Sequence, residues 1–211
     1  MTIGIDIRVL AGDLQNGIAQ YLLNILPKLI GLDSQIKFKL FFSSFKSKEL
    51  DYDWLKEKNV ELYRFKIPNN FLFASSKIFN RPFLDEMIGG VDMFFSPHFF
   101  LAPLSGRCKS SVVFHDLSFL RYPEFFSWRK NIWHRFEMNP KKQALEADRI
   151  IAVSCSTRND LISFFGINSN KIKVVYSGLS ENFLAKPSQD EVEKVRDKYK
   201  LPENFFLYLG K

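Results

Sequence analysis

The sequence predicts an α/β protein, in which a parallel β-sheet carries helices on both faces. Short apolar runs typical of buried strands recur along the 211 residues. Between these runs lie segments with apolar residues at helical spacing, and no internal repeat or low-complexity tract interrupts the alternation. This rhythm is typical of a parallel sheet, because parallel neighbours need a crossover connection, usually a helix.

Seven strands are expected in the main part of the chain. The first contains Ile3, Ile5 and Ile7. The fifth ends in the apolar run 112–114, which includes two adjacent valines that favour a strand. The other strands are assigned to 36–42, 60–65, 91–95, 149–153 and 171–175.

The segments between these strands are predicted to be helical. The first helix follows a loop that contains Gly12 and Gly17, and its apolar residues run from Ile18 to Leu29. Further helices are expected over 47–58, over 71–89 with a break at Pro82, over 128–148 with a kink at Pro140, and from a cap at Ser154 or Ser156 to Gly166.

The charge balance is basic, since 30 Lys and Arg residues face 23 Asp and Glu residues and leave a net charge of +7. This balance favours anionic partners such as nucleotide phosphates, nucleic acid or an acidic membrane surface. A solvated, lysine-rich surface without a partner is the alternative. Nucleic acid is not expected, because the lysines are scattered and the sequence has no known recognition module.

Cysteine usage and the N-terminus indicate the compartment. Cys108 and Cys155 have no metal-ligand spacing and indicate reduced thiols, which are typical of a cytoplasmic protein. The N-terminus has no charged segment followed by an apolar one, so no signal peptide is predicted. No apolar run approaches the ~20 residues of a membrane-spanning helix.

The fifth strand leads directly into His115 and Asp116. Ligands of open α/β sheets bind at the carboxyl ends of the strands, so this polar pair is the leading candidate for chemistry. A neutral imidazole can donate and accept hydrogen bonds and titrates near neutral pH. The alternative is that His115 only satisfies a hydrogen bond at the strand end. His98, after the fourth strand, is expected to shape its loop, with chemistry as its alternative.

The loop before the first helix is a candidate phosphate site, because free helical N–H groups point outward there. However, the dinucleotide-binding glycine fingerprint and the P-loop lysine are both absent. Gly12 and Gly17 are equally consistent with a turn that requires glycine.

Several short motifs, taken together and in order, resemble the N-terminal half of glycosyltransferase family 4, the retaining, nucleotide-sugar-dependent group with the GT-B fold. They include Val-Phe-His-Asp-Leu at 113–117 and Ala-Asp-Arg-Ile-Ile-Ala-Val-Ser at 147–154. Further motifs are at 120–124, 157–161, 173–178 and 206–210. The resemblance implies two Rossmann-like domains that face a cleft, the first binding the acceptor and the second most of the nucleotide-sugar.

The resemblance also implies roles for particular residues. His115 would lie beside the transferred sugar as the catalytic residue, with Asp116 supporting it. Residues that would bind donor or acceptor are Gly17, Tyr21, Arg121 and Gly178. In the family's loop Gly-Ile-Gly-Arg-Tyr, this sequence has Ala19 and Gln20 in place of the second glycine and the arginine, which weakens a contact with the donor diphosphate.

The implied reaction is transfer of a hexose, of mannosyl type or similar, from a UDP- or GDP-linked donor. The acceptor would be a saccharide or a lipid-linked one, in cell-surface polysaccharide or glycolipid assembly on the inner face of the membrane. No metal or other cofactor is expected. The family's carboxylate pair lies in the C-terminal domain, so these 211 residues alone are expected to be inactive. A non-catalytic acceptor- or partner-binding subunit that works with a separate donor-binding chain is the alternative.

Three segments are predicted from this reading. Residues 1–185 would form the acceptor-side domain, 186–204 a charged linker, and 205–211 the first strand of a second domain, with an added edge strand as the alternative. Within the first domain, the basic and aromatic segment 125–142 is the candidate for an anionic membrane surface. The alternative is that its apolar stripe packs on the sheet and its charges are solvated.

Overall fold

The computed structural model describes residues 1–45, 49–99, 103–134, 138–180 and 183–208. These ranges contain a seven-stranded sheet in which every pair of neighbours is parallel, so the predicted α/β class is confirmed. Its strands are β1 (Thr2–Asp6), β2 (Lys37–Ser43), β3 (Val60–Phe65), β4 (Met93–Ser96), β5 (Lys109–Phe114), β6 (Arg149–Ala152) and β7 (Ile172–Val174).

The strand order is β3-β2-β1-β4-β5-β6-β7, so the side of the sheet on which successive strands are added changes at β1. After β1 the chain builds β2 and β3 on one side, and β4 then returns to the other side of β1. In open α/β sheets, such a switch point opens a crevice outside the carboxyl ends of the two central strands. The topology therefore places the candidate site at the carboxyl ends of β1 and β4.

Helices cover both faces of this sheet. They are α1 (Gly17–Leu32), α2 (Asn69–Phe79), α3 (Leu84–Met87), α4 (Ser118–Arg121), α5 (Trp128–Ile132), α6 (Pro140–Glu146), α7 (Cys155–Phe165) and α8 (Gln189–Tyr199). Successive strand residues point to opposite faces. Accordingly, Val113 packs in one apolar cluster with Leu22 of α1, whereas Val112 and Phe114 pack in another with Leu161 of α7.

The predicted long helix over 128–148 is wrong. The segment contains two short helices, α5 and α6, and residues 135–137 lie outside the described residues. Asn139 adopts a left-handed conformation with φ of 45°, and its side chain accepts a hydrogen bond from the Lys142 N–H at 3.2 Å. Asn139 therefore caps a new helix, and Pro140 occupies its first turn, where a missing N–H costs nothing.

The predicted surface helix over 47–58 is also wrong. Among its described residues, only the single 3₁₀ turn Asp53–Lys56 is helical, and 46–48 lie outside the description. The charged pattern there belongs to a surface turn. In contrast, the break at Pro82 is confirmed, because α2 ends at Phe79 and α3 begins at Leu84.

Residues Gly178–Lys211 form a second compact unit, separate from Met1–Ser177. Its helix α8 begins with a capping box, in which Ser188 and Glu191 each bond the other's backbone N–H. Residues 205–208 are exposed and have no strand pairing in the described part of the chain, and 209–211 lie outside it. The assignment of these residues to a linker and to a second domain stays a prediction.

No membrane-spanning segment is found, since every helix in the described ranges is too short or too polar to cross a bilayer.

Candidate active site

His115 lies directly after β5, at the edge where the parallel strands end. Its Nε2 atom is 2.9 Å from the carbonyl oxygen of Pro97, which follows β4. A carbonyl oxygen only accepts hydrogen bonds, so Nε2 carries the proton of the neutral ring and donates it. The Nδ1 atom is left as an acceptor, and it has no hydrogen-bond partner among the described residues.

Burial keeps the His115 ring neutral. Desolvation lowers the pKa of His115 from its ordinary value near 6.5, against the opposing effects of the Pro97 hydrogen bond and of the Asp116 charge. The ring is half-buried and has Tyr21 of α1 edge-on to it, with centroids 5.0 Å apart and planes at 85°. The fold thus brings Tyr21 into contact with His115, whereas the predicted roles of the two residues stay predictions.

His98 is the second imidazole at this edge, 5.9 Å from His115 between ring centroids. It is buried and packs against Phe99 at 4.2 Å. Burial, reinforced by His115, lowers the pKa of His98 to about 3. His98 is consequently neutral at physiological pH and lies buried beside His115, and its expected role in shaping the loop stays a prediction.

Asp116 organises the loop after His115. Its Oδ1 atom accepts hydrogen bonds from the Ser118 N–H at 3.0 Å and from the Ser118 hydroxyl at 2.5 Å. These bonds begin α4, since free N–H groups at a helix start need acceptors. Asp116 is exposed, and its charge raises the pKa of His115 less than burial lowers it.

Arg121 is held by Asp160 of α7. Its Nε atom donates to Asp160 Oδ1 at 3.0 Å, and an Nη2 bond goes to the same oxygen. The Asp160 side chain is buried, whereas that of Arg121 is 42% exposed. This ion pair joins α4 to α7. The predicted role of Arg121 in binding donor or acceptor is not visible in these contacts and stays a prediction.

Gly17 is the first residue of α1, after the cap Asn16, whose side chain accepts from the Ala19 N–H at 2.8 Å. A Cβ at Gly17 would meet no atom within 4 Å, and its φ lies outside the left-handed region. Packing therefore does not require glycine here. Gly17 is one helical turn before Tyr21, on the same face of α1.

Gly178 belongs to the second unit, where it is exposed and a Cβ would also meet nothing within 4 Å. Its place in the cleft stays a prediction.

Sequence reasoning missed two residues that position His115. The Pro97 carbonyl oxygen accepts a hydrogen bond from His115 Nε2, and the Thr157 hydroxyl donates to the His115 carbonyl oxygen at 3.1 Å. These contacts join residues 18 and 42 positions apart, so no local pattern indicates them. Asp6, the last residue of β1, and Arg8 form a buried ion pair of 2.6 Å at the same sheet edge.

No three His, Cys, Asp or Glu side chains are grouped to hold a metal ion in the part of the chain that the structure describes. The expectation that the reaction needs no metal stays a prediction.

The fold defines a Rossmann-like α/β domain, and the candidate site lies beside the sheet's switch point. A family model described as Glycosyltransferase Family 4 matches residues 15–183. Because this range is more than half of the chain, the chain belongs to glycosyltransferase family 4.

Two kinds of relative are similar to this chain. The serotype-specific mannosyltransferase WbdA of Escherichia coli is 31% identical over 103 residues, which are 48% of this chain and 12% of that protein. Anabaena HepE in complex with UDP-glucose has a similar structure, with a TM-score of 0.55 and 20% identity over 97% of this chain and 51% of that one. The same protein with UDP and glucose gives a TM-score of 0.53, 18% identity and coverages of 95% and 50%.

The chain thus spans about half the length of the HepE structure, and its match to WbdA covers about an eighth of that relative. The structural likeness confirms the predicted fold, a Rossmann-like half of the GT-B architecture.

Proposed function

We propose that this chain is the acceptor-side domain of a retaining glycosyltransferase that uses a UDP- or GDP-linked hexose, of mannosyl type or similar. The acceptor is a saccharide or a lipid-linked saccharide in cell-surface polysaccharide or glycolipid assembly. Membership of glycosyltransferase family 4 supports the transfer reaction. The name of the WbdA relative supports a mannosyl-type sugar, and the UDP-glucose in the HepE structure supports a nucleotide-sugar donor.

The observation that carries the proposal is the 2.9 Å contact between His115 Nε2 and the Pro97 carbonyl oxygen, from which the tautomer of His115 follows. The Nε2–H group donates its hydrogen bond to the Pro97 carbonyl oxygen, so the ring offers the substrate one acceptor, Nδ1, and no second donor. The expectation that the imidazole donates and accepts toward the sugar is replaced by a narrower role. Nδ1 accepts a hydrogen bond from a hydroxyl of the transferred sugar and thereby orients that sugar at the sheet edge.

The neighbours of His115 give this contact its precision. Tyr21 packs against the ring in a T-shaped contact, and the Thr157 hydroxyl holds the backbone of His115 through its carbonyl oxygen. Asp116 is assigned to positioning, because it ties the loop to the start of α4 through Ser118. A substrate held in a reactive geometry gains rate without new chemistry from the residue that holds it.

The test compares His115→Ala with the wild type in the complete protein, using the natural donor and a series of deoxy-sugar donors. With the natural donor, kcat/KM of the variant should fall about tenfold to 100-fold, since a hydrogen bond to the sugar is lost. With the donor that lacks the contacted hydroxyl, wild type and variant should be equally slow. His115→Asn, whose amide oxygen lies near the former Nδ1, should recover part of the rate.

The urea unfolding midpoint of each variant serves as the control for correct folding. If His115→Ala folds like the wild type and turns over the natural donor at the same rate, the assignment of His115 is wrong.

A further inference from the structure

Three members of the apolar stripe that the sequence predicts, Phe125, Trp128 and Ile132, are exposed in the structure, as is the adjacent Trp133. The fourth member of the stripe, Phe136, lies outside the described residues. The exposed fractions are 78% for Phe125, 69% for Trp128, 44% for Ile132 and 38% for Trp133. We call these four residues the aromatic patch. The alternative that this stripe packs on the sheet is wrong for its described members Phe125, Trp128 and Ile132. A contiguous group of exposed large apolar side chains marks an interaction surface, whereas single exposed apolar side chains are normal.

The aromatic patch is held in place by the fold. Ser127 caps α5 through the Lys130 N–H, and the Asn131 side chain donates to the Pro123 carbonyl oxygen at 2.7 Å. Behind the patch, the ring of Trp133 meets that of His134 at 4.8 Å. His134 in turn stacks on the buried Phe119 at 4.3 Å. The exposed side chains therefore belong to a segment that hydrogen bonds and ring contacts hold against the domain.

Cations are interleaved with these rings. Arg129 and Lys130 are exposed on α5, and the Arg129 guanidinium lies 5.6 Å from the centre of the Trp128 ring. The sequence has no Asp or Glu from 125 to 134, although Glu124 immediately precedes it. The surface therefore combines tryptophan, whose ring favours the boundary between water and lipid, with a local excess of positive charge.

We propose that the aromatic patch, with Arg129 and Lys130, docks on the surface of a membrane that contains anionic lipids. Charge complementarity selects this occupant, since basic residues near an anionic bilayer each add to the affinity while the aromatic side chains enter the headgroup region. Lys130 favours a membrane over a protein partner or a second copy of the chain, because the centre of protein interfaces is depleted of lysine, although it is enriched in aromatic residues and arginine.

Docking of the patch would also bring the candidate site near the membrane. Ring contacts lead from His115 to Trp133, each between 4.2 and 6.3 Å; the intermediate rings are His98, Phe99, Phe119 and His134. The patch and the site are therefore parts of one packed body. Docking would hold the sheet edge close to a bilayer, where a lipid-linked saccharide is found, but the docking itself does not depend on the proposed function.

The first experiment measures co-sedimentation of the full-length protein with two kinds of vesicle, one of phosphatidylcholine and one of phosphatidylcholine with phosphatidylglycerol. Binding is expected to the second kind and to weaken with salt. Arg129→Glu with Lys130→Glu should lower the partition coefficient about thirtyfold or more. The matched control, Lys58→Glu with Lys66→Glu, changes the net charge equally at two exposed lysines elsewhere. It should lower the partition coefficient far less.

The second experiment uses the three tryptophans, Trp54, Trp128 and Trp133. On anionic vesicles the tryptophan emission should shift to the blue. The shift should persist in Trp54→Phe and be lost in Trp128→Phe with Trp133→Phe. Trp128→Ala with Trp133→Ala should lower vesicle binding about tenfold, whereas Phe45→Ala, at an exposed ring outside the patch, should not.

Three outcomes would overturn the proposal. The first is equal binding to both kinds of vesicle, or to neither. The second is unchanged binding after replacement of the patch. The third is a lipid-free dimer in analytical ultracentrifugation that the Trp128→Ala and Trp133→Ala replacements abolish, which would make a second copy the occupant. Because no transfer assay is involved, failure here leaves the assignment of His115 untouched.

Discussion

The Nε2 atom of His115 lies 2.9 Å from the carbonyl oxygen of Pro97, so a loop after β4 decides which nitrogen of an imidazole after β5 carries the proton. The two residues are 18 positions apart and meet because β4 and β5 are parallel neighbours whose carboxyl ends share one edge. This relationship turns a residue that can donate and accept into one with a single free acceptor.

The pH dependence of transfer should report this acceptor. Burial lowers the pKa of His115, so the neutral form persists below the ordinary value near 6.5. Protonation of Nδ1 removes its lone pair. The limb of kcat/KM that depends on His115 should therefore be flat at neutral pH and fall only as the pH drops below ~6.5. A pH–rate profile that has the same acid limb in His115→Asn would contradict this role.

The stability of the domain should depend on His98 in acid. The pKa of His98 is lowered to about 3 in the folded state, whereas the unfolded chain takes up a proton near pH 6.5. The unfolded state thus binds more protons between these values, and the free energy of unfolding falls as the pH drops. Between pH 6.5 and 5 the loss due to His98 should be about 2 kcal/mol.

Urea unfolding at both pH values measures this loss, with His98→Asn as the variant that does not titrate. The difference in unfolding free energy between pH 6.5 and 5 should shrink by about 2 kcal/mol in the variant. Equal losses in the two proteins would show that His98 is protonated in the folded state or is exposed to water.

Gly17 can be tested against a glycine of the same helix. A Cβ meets nothing within 4 Å at Gly17 or at Gly31, and both are in α1, so alanine at either position should leave stability unchanged or raise it by up to about 1 kcal/mol. If Gly17 leaves room for the donor, Gly17→Ala should raise the donor KM, and Gly31→Ala should not. Equal KM values in the two variants would remove Gly17 from the site.

Arg121 and Asp160 should behave as a structural pair. Removal of Arg121 leaves the buried carboxylate of Asp160 without its guanidinium, so Arg121→Ala and Asp160→Ala should each lower the urea midpoint. The double variant should lose less than the two single losses together, because the second removal breaks no further contact between them. A raised donor KM in Arg121→Ala, with an unchanged midpoint, would instead support the predicted role in binding.

Local sequence pattern predicted the structure correctly where a residue type strongly favours one backbone conformation. The valines before His115 predict a buried strand, and Gly166 ends α7 in the left-handed conformation that glycine adopts without strain. Pattern failed at Asn139, because an asparagine followed by proline is compatible with both a kinked helix and a capped one. Only the path of the chain into α6 distinguishes the two.

By itself the sequence determined the parallel α/β class, the strands and the position of His115 at a strand end, since these follow from apolar periodicity and from neighbours along the chain. The tertiary structure alone decided the proton on Nε2, the burial that keeps His98 neutral, the capture of Arg121 by Asp160 and the exposure of the aromatic patch. Each of these depends on contact, or absence of contact, between residues far apart in the chain, and pattern within a segment carries no information about which distant groups will meet.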